Sequence, residues 1–387
     1  MSEAPDLLSP TILDPFASFA TTASIRPADT ISAGSLGAAP ALITSINSAA
    51  FTDLPAAMSF ISLPTTTPTV TELLDASMAV ITTFINPITG TLTMGDLTDF
   101  DVGGKQLIKE NLHTGLLGAA FLTPEHQVVI AFEATSGFTT KGTSAAFYAA
   151  QLNADIDQIA SPTTPKNDIQ AAAFARQVVK AAAADGISAS NVFVTGDSLG
   201  GIEAEYTAQQ TGLAGIAFEP TGIAPDSSAN GNGAAGSGKN FIDVVTYGDP
   251  VANLASDIDI EQPLAGPYVP GGGTDPHYGQ EFFIGEPANQ SYISSSLAPY
   301  DAAIAASEAN GTEKAYLSGL IDTYLSIATP YHNPFTTAFD LGTTLPPLTE
   351  SILGAGASSS LTVPTYLAGG DTIPQLLAHI AATNAVT

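Results

Sequence analysis

The 387 residues carry 37 Asp plus Glu against 9 Lys plus Arg, a net charge of −28. A surface of that sign repels phosphate backbones and anionic headgroups, which excludes nucleic acid as a partner. With no Cys in the chain, disulfides, thiolate metal sites and thiol nucleophiles are excluded as well.

Residues 1 to 104 are rich in Thr, Ala, Ser and Pro, with Arg26 as their only basic side chain before the stretch ends. Within them the spacing predicts a helix from Val70 to Ile85, with Leu73, Leu74, Met78, Ile81 and Phe84 on one face, Thr71 as its cap and Pro87 as its stop. The scattered Leu, Ile and Phe of this region imply an N-terminal extension packed on something larger. The first residues show neither a basic n-region nor a continuous apolar run, so no cleavable signal is expected, and no stretch is apolar enough for a membrane span.

From Gly115 the texture changes. Leu116 to Leu122 and Val128 to Phe132 read as a hairpin around Thr123–Gln127. An Ala-rich helix follows over Asp168 to Ala184, ended by Gly186, and then a β run from Val192 to Thr195. Gly201 to Gln210 reads as a helix, Ala214 to Phe218 and Phe241 to Tyr247 as strands, and Asp226 to Lys239 as a surface loop. After Pro299 the pattern turns helical over 301–309 and 313–327, with a last helix near Ile373 to Ala382. Strand–helix–strand alternation implies a mostly parallel sheet covered by helices. The division expected is 1–104 as the N-terminal extension, 105–290 as the core and 291–387 as a mainly helical C-terminal region.

The sharpest local signal is Thr195-Gly196-Asp197-Ser198-Leu199-Gly200-Gly201, directly after a β run and opening a helix. A serine at such a turn takes a strained backbone and needs small residues two positions either side, which Gly196 and Gly200 supply. The turn projects the Ser198 hydroxyl outward, and the helix N-terminus offers the Leu199 N–H where an oxyanion would form. Ala33-Gly34-Ser35-Leu36-Gly37 is nearly the same string, but no β run precedes it and it reads as a turn.

A serine nucleophile needs a base, and there are five histidines. His113 and His126 precede the serine, and His379 falls inside the last helix. His277 and His332 are both loop residues after Ser198. His277, followed by Phe282-Phe283-Ile284, is the expected base, with His332 the alternative. For the acid, Asp249 stands at a strand-to-loop corner before Pro250. Asp257 and Asp259 are weaker, Asp243 is at the wrong strand end, and Asp275 is too close to His277 in sequence.

These residues resemble the class 3, fungal-type lipases and their bacterial relatives over about residues 105 to 290. Val128 to Thr135 looks like the family's strand leading into an Arg-Gly-Thr/Ser motif, and Val192 to Gly201 is similar to V-x-V-T-G-H-S-L-G-G. Ala217 to Pro220, Tyr247 to Val251 and His277 to Gly279 resemble later core segments. The resemblance implies an α/β-hydrolase fold with N- and C-terminal extensions, and a triad of Ser198, Asp249 and His277. Thr135 and Leu199 would form the oxyanion hole. Asp197 replaces the usual His before the nucleophile, and Glu133-Ala134 replace Arg-Gly.

The activity implied is hydrolysis of neutral, hydrophobic esters such as acylglycerols, at a lipid–water interface if residues 137 to 165 form a lid; a fixed helix is the alternative for that stretch. Phospholipase A1, a polyester depolymerase and a non-catalytic hydrolase-like binding module are the rival readings. The chemistry requires no metal, although the acidic composition is compatible with structural calcium, and low Lys with no Cys fits a secreted protein.

Overall fold

In the computed structural model, which describes residues 62–83, 96–160, 163–224, 238–249, 252, 277–289, 331–343 and 366–384, the apolar runs become the inside of one sheet. Its strands are β1 (Thr98–Asp99), β2 (Ile108–Asn111), β3 (Leu116–Leu122), β4 (Val128–Phe132), β7 (Val192–Asp197), β8 (Ala214–Phe218), β9 (Phe241–Thr246) and β10 (Gln280–Ile284). A two-stranded ribbon, β5 (Phe138–Thr139) with β6 (Gly142–Thr143), stands apart from it.

The order is β1-β3-β4-β7-β8-β9-β10, with β2 also on β3. The pairs from β4 through β10 are parallel, while β3 runs antiparallel to β4 as the predicted hairpin. Central strands β4, β7, β8 and β9 are buried along their whole length, the expected burial for parallel strands covered on both faces.

Helices α3 (Lys166–Ala184) and α4 (Leu199–Thr211) cover one face, packing Phe174, Val178, Leu199 and Ile202 against Ile130, Phe132 and Val194. The other face carries α1 (Val70–Thr83) and α6 (Ile373–Asn384), whose Leu73, Leu74, Ile373 and Leu376 join Val129, Phe193, Ile216 and Ile242. This is an α/β-hydrolase fold: a mostly parallel, twisted sheet between two helical layers. The described elements before residue 84, between 96 and 289, and after 330 pack on this one sheet.

Helix α1 starts at Val70, as the spacing predicts, but its cap is Thr69 and not Thr71. Glu72 accepts from the Thr69 N–H at 2.7 Å, and the Glu72 N–H donates to Thr69 Oγ1 at 3.2 Å, a reciprocal capping box. Thr71 instead donates its hydroxyl to Gly369 O at 2.8 Å, which ties α1 to the chain entering α6. The helices expected at 301–309 and 313–327, the Ala33–Gly37 turn and most of the 226–239 loop lie outside the described residues.

Candidate active site

The site is built at the C-terminal edge of the parallel strands. Strand β7 ends at Asp197 and α4 begins at Leu199, so Ser198 makes the whole turn, at φ 53° and ψ −120°. A non-glycine residue in that region is strained and is held by its surroundings. Its N–H donates to Phe218 O at 2.9 Å, and its carbonyl accepts the first helical bond from Ile202 at 3.1 Å. The glycines are required by contact: a Cβ on Gly196 would lie 2.0 Å from Gly200 O, and one on Gly200 would lie 2.2 Å from Phe132 O. As N1 of α4, Leu199 presents one of the N–H groups that a helix start leaves without an intrahelical acceptor.

Across from the serine stands His332. Its Nε2 is 2.8 Å from Ser198 Oγ and its Nδ1 is 2.8 Å from Asp249 Oδ2. The local sequence explains the placement: Asn333 accepts from the Phe335 N–H at 2.9 Å as N-cap of α5 (Pro334–Leu341), and Pro334 starts that helix. His332 therefore projects from a capped helix start. Asp249 follows β9, is fully buried, and donates its own N–H to Thr246 O at 3.0 Å. Serine, histidine and acid form one hydrogen-bonded line.

His277, the expected base, is elsewhere. Strand β10 is parallel to β9, and its first residue Gln280 pairs with Ile242. Following the register from Asp197 through Phe218 and Val244 to Phe282 puts Ser198 level with Phe283. His277 lies about six residues before that level, on the order of 20 Å along the strand. It enters β10 at the N-terminal edge, the same edge as Asp243. There its Nε2 faces Ala252 O at 3.3 Å, and its Nδ1 faces Glu205 at 3.9 Å. Burial alone would lower its pKa, but the carboxylates of Glu205, Asp243 and Glu281 outweigh that and push it up to about 10.

Several further acids surround the line. Glu219, at the end of β8 with φ 50°, accepts from the Thr246 N–H at 3.0 Å and from the Thr246 and Thr337 hydroxyls, the latter at 3.1 Å. It lies against Asp249 and His332. Burial, then the charge of Asp249, hold its carboxyl well above the usual range. Burial likewise pushes Asp197 and Asp155 up to about 7, in both cases against the lowering influence of His332. Burial alone would lower the His332 pKa; Asp249 first, then Asp197 and Asp155, reverse that and raise it.

Thr135, expected in the oxyanion hole, lies three residues past β4 and donates its hydroxyl to Asp155 at 2.8 Å. Its loop is stapled by Glu133, which accepts from the Ser136 hydroxyl and from Gln151 Nε2, the latter at 3.0 Å. Gln151 Oε1 in turn accepts from the Ser136 and Gly137 N–H groups at 3.1 and 2.7 Å. Glu133 thus serves the loop as a hydrogen-bond acceptor, and burial holds its carboxyl well above the usual range. Gln151 belongs to α2 (Ala145–Ala160), the helix in the stretch read as lid or fixed element; Phe147, Gln151 and Gln158 are all buried there.

Among the described residues no helix is long and apolar enough to cross a membrane. No protein-family profile matches the chain, and no curated protein matches it in sequence. Among solved structures it is similar to the Rhizomucor miehei lipase propeptide complex, at 15% identity and TM-score 0.37, over 57% of this chain and 68% of that one. Lipase II from Rhizopus niveus matches at 13% identity and TM-score 0.30, over 48% and 73% of the two chains. The extracellular lipase LipA from Serratia marcescens matches at 18% identity and TM-score 0.28, over 40% and 26%. Strand order and the Ser198 turn define the α/β-hydrolase fold.

Proposed function

We propose that the chain is a serine carboxylic-ester hydrolase, with Ser198 as nucleophile, His332 as base and Asp249 as the acid that orients it. The observation that carries this reading is the Ser198–His332–Asp249 line, with both links at 2.8 Å. Attack by Ser198 Oγ on an ester carbonyl passes its proton to His332 Nε2. The imidazolium, paired with Asp249, then returns that proton to the departing alcohol. Water repeats the sequence on the acyl-enzyme and releases the acid. The Leu199 N–H is one oxyanion donor, and the N–H of Thr135 on the stapled loop is assigned as the other; loss of one such donor typically costs ~10²–10³ in rate.

The substrate class is a neutral, hydrophobic ester of the acylglycerol kind. A net charge of −28 disfavours anionic substrates. The Lys-poor, Cys-free composition suits an extracellular setting.

A p-nitrophenyl ester series and a fluorophosphonate probe test the reading. Ser198→Ala and His332→Ala should each lose ~10⁴-fold or more in kcat, and only chains with Ser198 should label. His277→Ala, assayed below its melting range, should keep activity within a few-fold of the parent. Retained hydrolysis in Ser198→Ala, or silence in His277→Ala with full activity in His332→Ala, would sink it.

A further inference from the structure

A second group of buried side chains lies at the opposite edge of the sheet from Ser198. Glu205 sits in the middle of α4 and Asp243 near the start of β9, and His277 is where the chain enters β10; all are buried. Asp243 faces α4, because Ile242 and Val244 pack in the α1/α6 core on the other side. One ligand atom from each of the three falls within 4.8 Å of the other two.

The orientation of His277 is informative. A ring nitrogen against a carbonyl carries a proton, so Nε2 donates to Ala252 O at 3.3 Å and Nδ1 is turned toward the carboxylates. Nδ1 is 3.9 Å from Glu205 Oε1, beyond hydrogen-bond reach, and has no hydrogen-bond partner. Asp243 Oδ1 and Glu205 Oε2 are equally without partners. Their other oxygens are held by backbone: the Gly279 N–H donates to Asp243 Oδ2 at 2.7 Å, and the Tyr278 N–H donates to Glu205 Oε1. Among the described residues neither carboxylate has a Lys or Arg partner.

We propose that Glu205, Asp243 and His277 bind one divalent transition-metal ion, zinc by preference. Two carboxylates and an imidazole that releases its Nδ1 proton as the ion binds balance a charge of 2+. Tetrahedral ligands ~2.1 Å from one ion stand ~3.4 Å apart, so the 3.9 Å separation closes onto zinc with a shift of about half an ångström, whereas a shared proton needs about 3.2 Å or less. The mixed nitrogen and oxygen donors fit zinc. Calcium takes six to eight oxygens and has no use for an imidazole. A backbone carbonyl accepting from the other ring nitrogen is the outer contact that metal-bound histidines generally make. Asp168 of α3 is also buried with both oxygens unpartnered.

The ion's role is structural. It pins α4, which Ser198 immediately precedes, to β9 and to the entry of β10, and takes no part in the ester chemistry. The inference therefore stands or falls apart from the proposed activity.

The full chain is dialysed against Zn²⁺, desalted, and its metal content measured by mass spectrometry; Co²⁺ loading gives an optical readout of coordination, and Ca²⁺ loading is run alongside. Roughly one equivalent of zinc should be retained, and EDTA should lower Tm by ~5–10 °C. His277→Gln and Asp243→Asn should lose the ion, while His379→Gln should keep it. Because these variants can fail to fold, stoichiometry and the cobalt spectrum of the parent protein are decisive by themselves. Less than about a tenth of an equivalent, with Tm indifferent to EDTA, overturns the proposal. So does protection by Ca²⁺ alone, or zinc binding that survives both substitutions in folded protein.

Discussion

Thr337 donates its hydroxyl to Glu219 at 3.1 Å, and that one bond fastens the helix following His332 to the strand end beside the nucleophile turn. The same carboxyl also holds Thr246 of β9 and lies against Asp249. The relative placement of His332 and Asp249 therefore depends on a residue outside their hydrogen-bonded line. Glu219→Ala should lower kcat by ~10–100-fold with little change in KM, since small misplacements of reacting groups are that costly. Thr337→Val should act in the same direction and less. Steady-state kinetics on a soluble ester decide; an unaltered kcat in folded Glu219→Ala would show that the carboxyl has no positioning role.

Asp197 stands where a histidine is usual in the family the sequence resembles, and it helps raise the pKa of His332. Asp197→Asn removes that charge, so the imidazole should deprotonate at lower pH. The acid limb of the kcat/KM profile should then move down by ~0.5–1 unit. A limb that stays or rises would contradict the assigned coupling.

Stability should depend on pH in a direction unusual for carboxylates. Asp155 and Asp197 have pKa values raised to about 7 from 3.8, chiefly by burial. The folded form thus binds more protons than the unfolded one between those limits. Their contribution is full below the unfolded pKa and is lost as pH rises through about 7. Tm by scanning calorimetry should fall from pH 5 to 8, and the fall should flatten in the Asp155→Asn, Asp197→Asn double variant. A Tm that climbs over this range would count against it.

Gly200→Ala probes the nucleophile turn itself. The added methyl would meet Phe132 O at 2.2 Å, and backbone on both sides has nowhere to retreat. A loss of ~3 kcal/mol or more is expected by chemical denaturation, together with loss of Ser198 labelling. A stable, reactive variant would mean that the helix can draw back from β4.

Much of this was legible in the sequence. The hairpin, the α3 helix, strands β7 to β9 and the Ser198 turn are all carried by local patterning, because buried parallel strands and an Ala-rich helix announce themselves over a few residues. The base was not. His277 and His332 are both loop histidines after the serine, and the choice between them is a question of sheet edge. The edge rule that set Asp243 aside applies equally to His277, since a residue just before the apolar run Phe282-Phe283-Ile284 enters a parallel strand at its N-terminal side. His332 carried its own signal in Asn333-Pro334, a helix cap followed by N1 proline. The cap was the misread part of this helix: Thr69, one residue before Val70, pairs with Glu72 in the capping box, while Thr71 lies inside the first turn.

The line of bonds at the site spans 134 residues between Ser198 and His332. During synthesis the Ser198 turn emerges first, and under the proposed mechanism no base is yet present to draw off its proton. At ~5–20 residues per second, His332 follows on the order of ten seconds later. Under that mechanism a nascent chain stays inert toward esters for that interval, and Ser198 acquires its partner only after the strands of the sheet have been made.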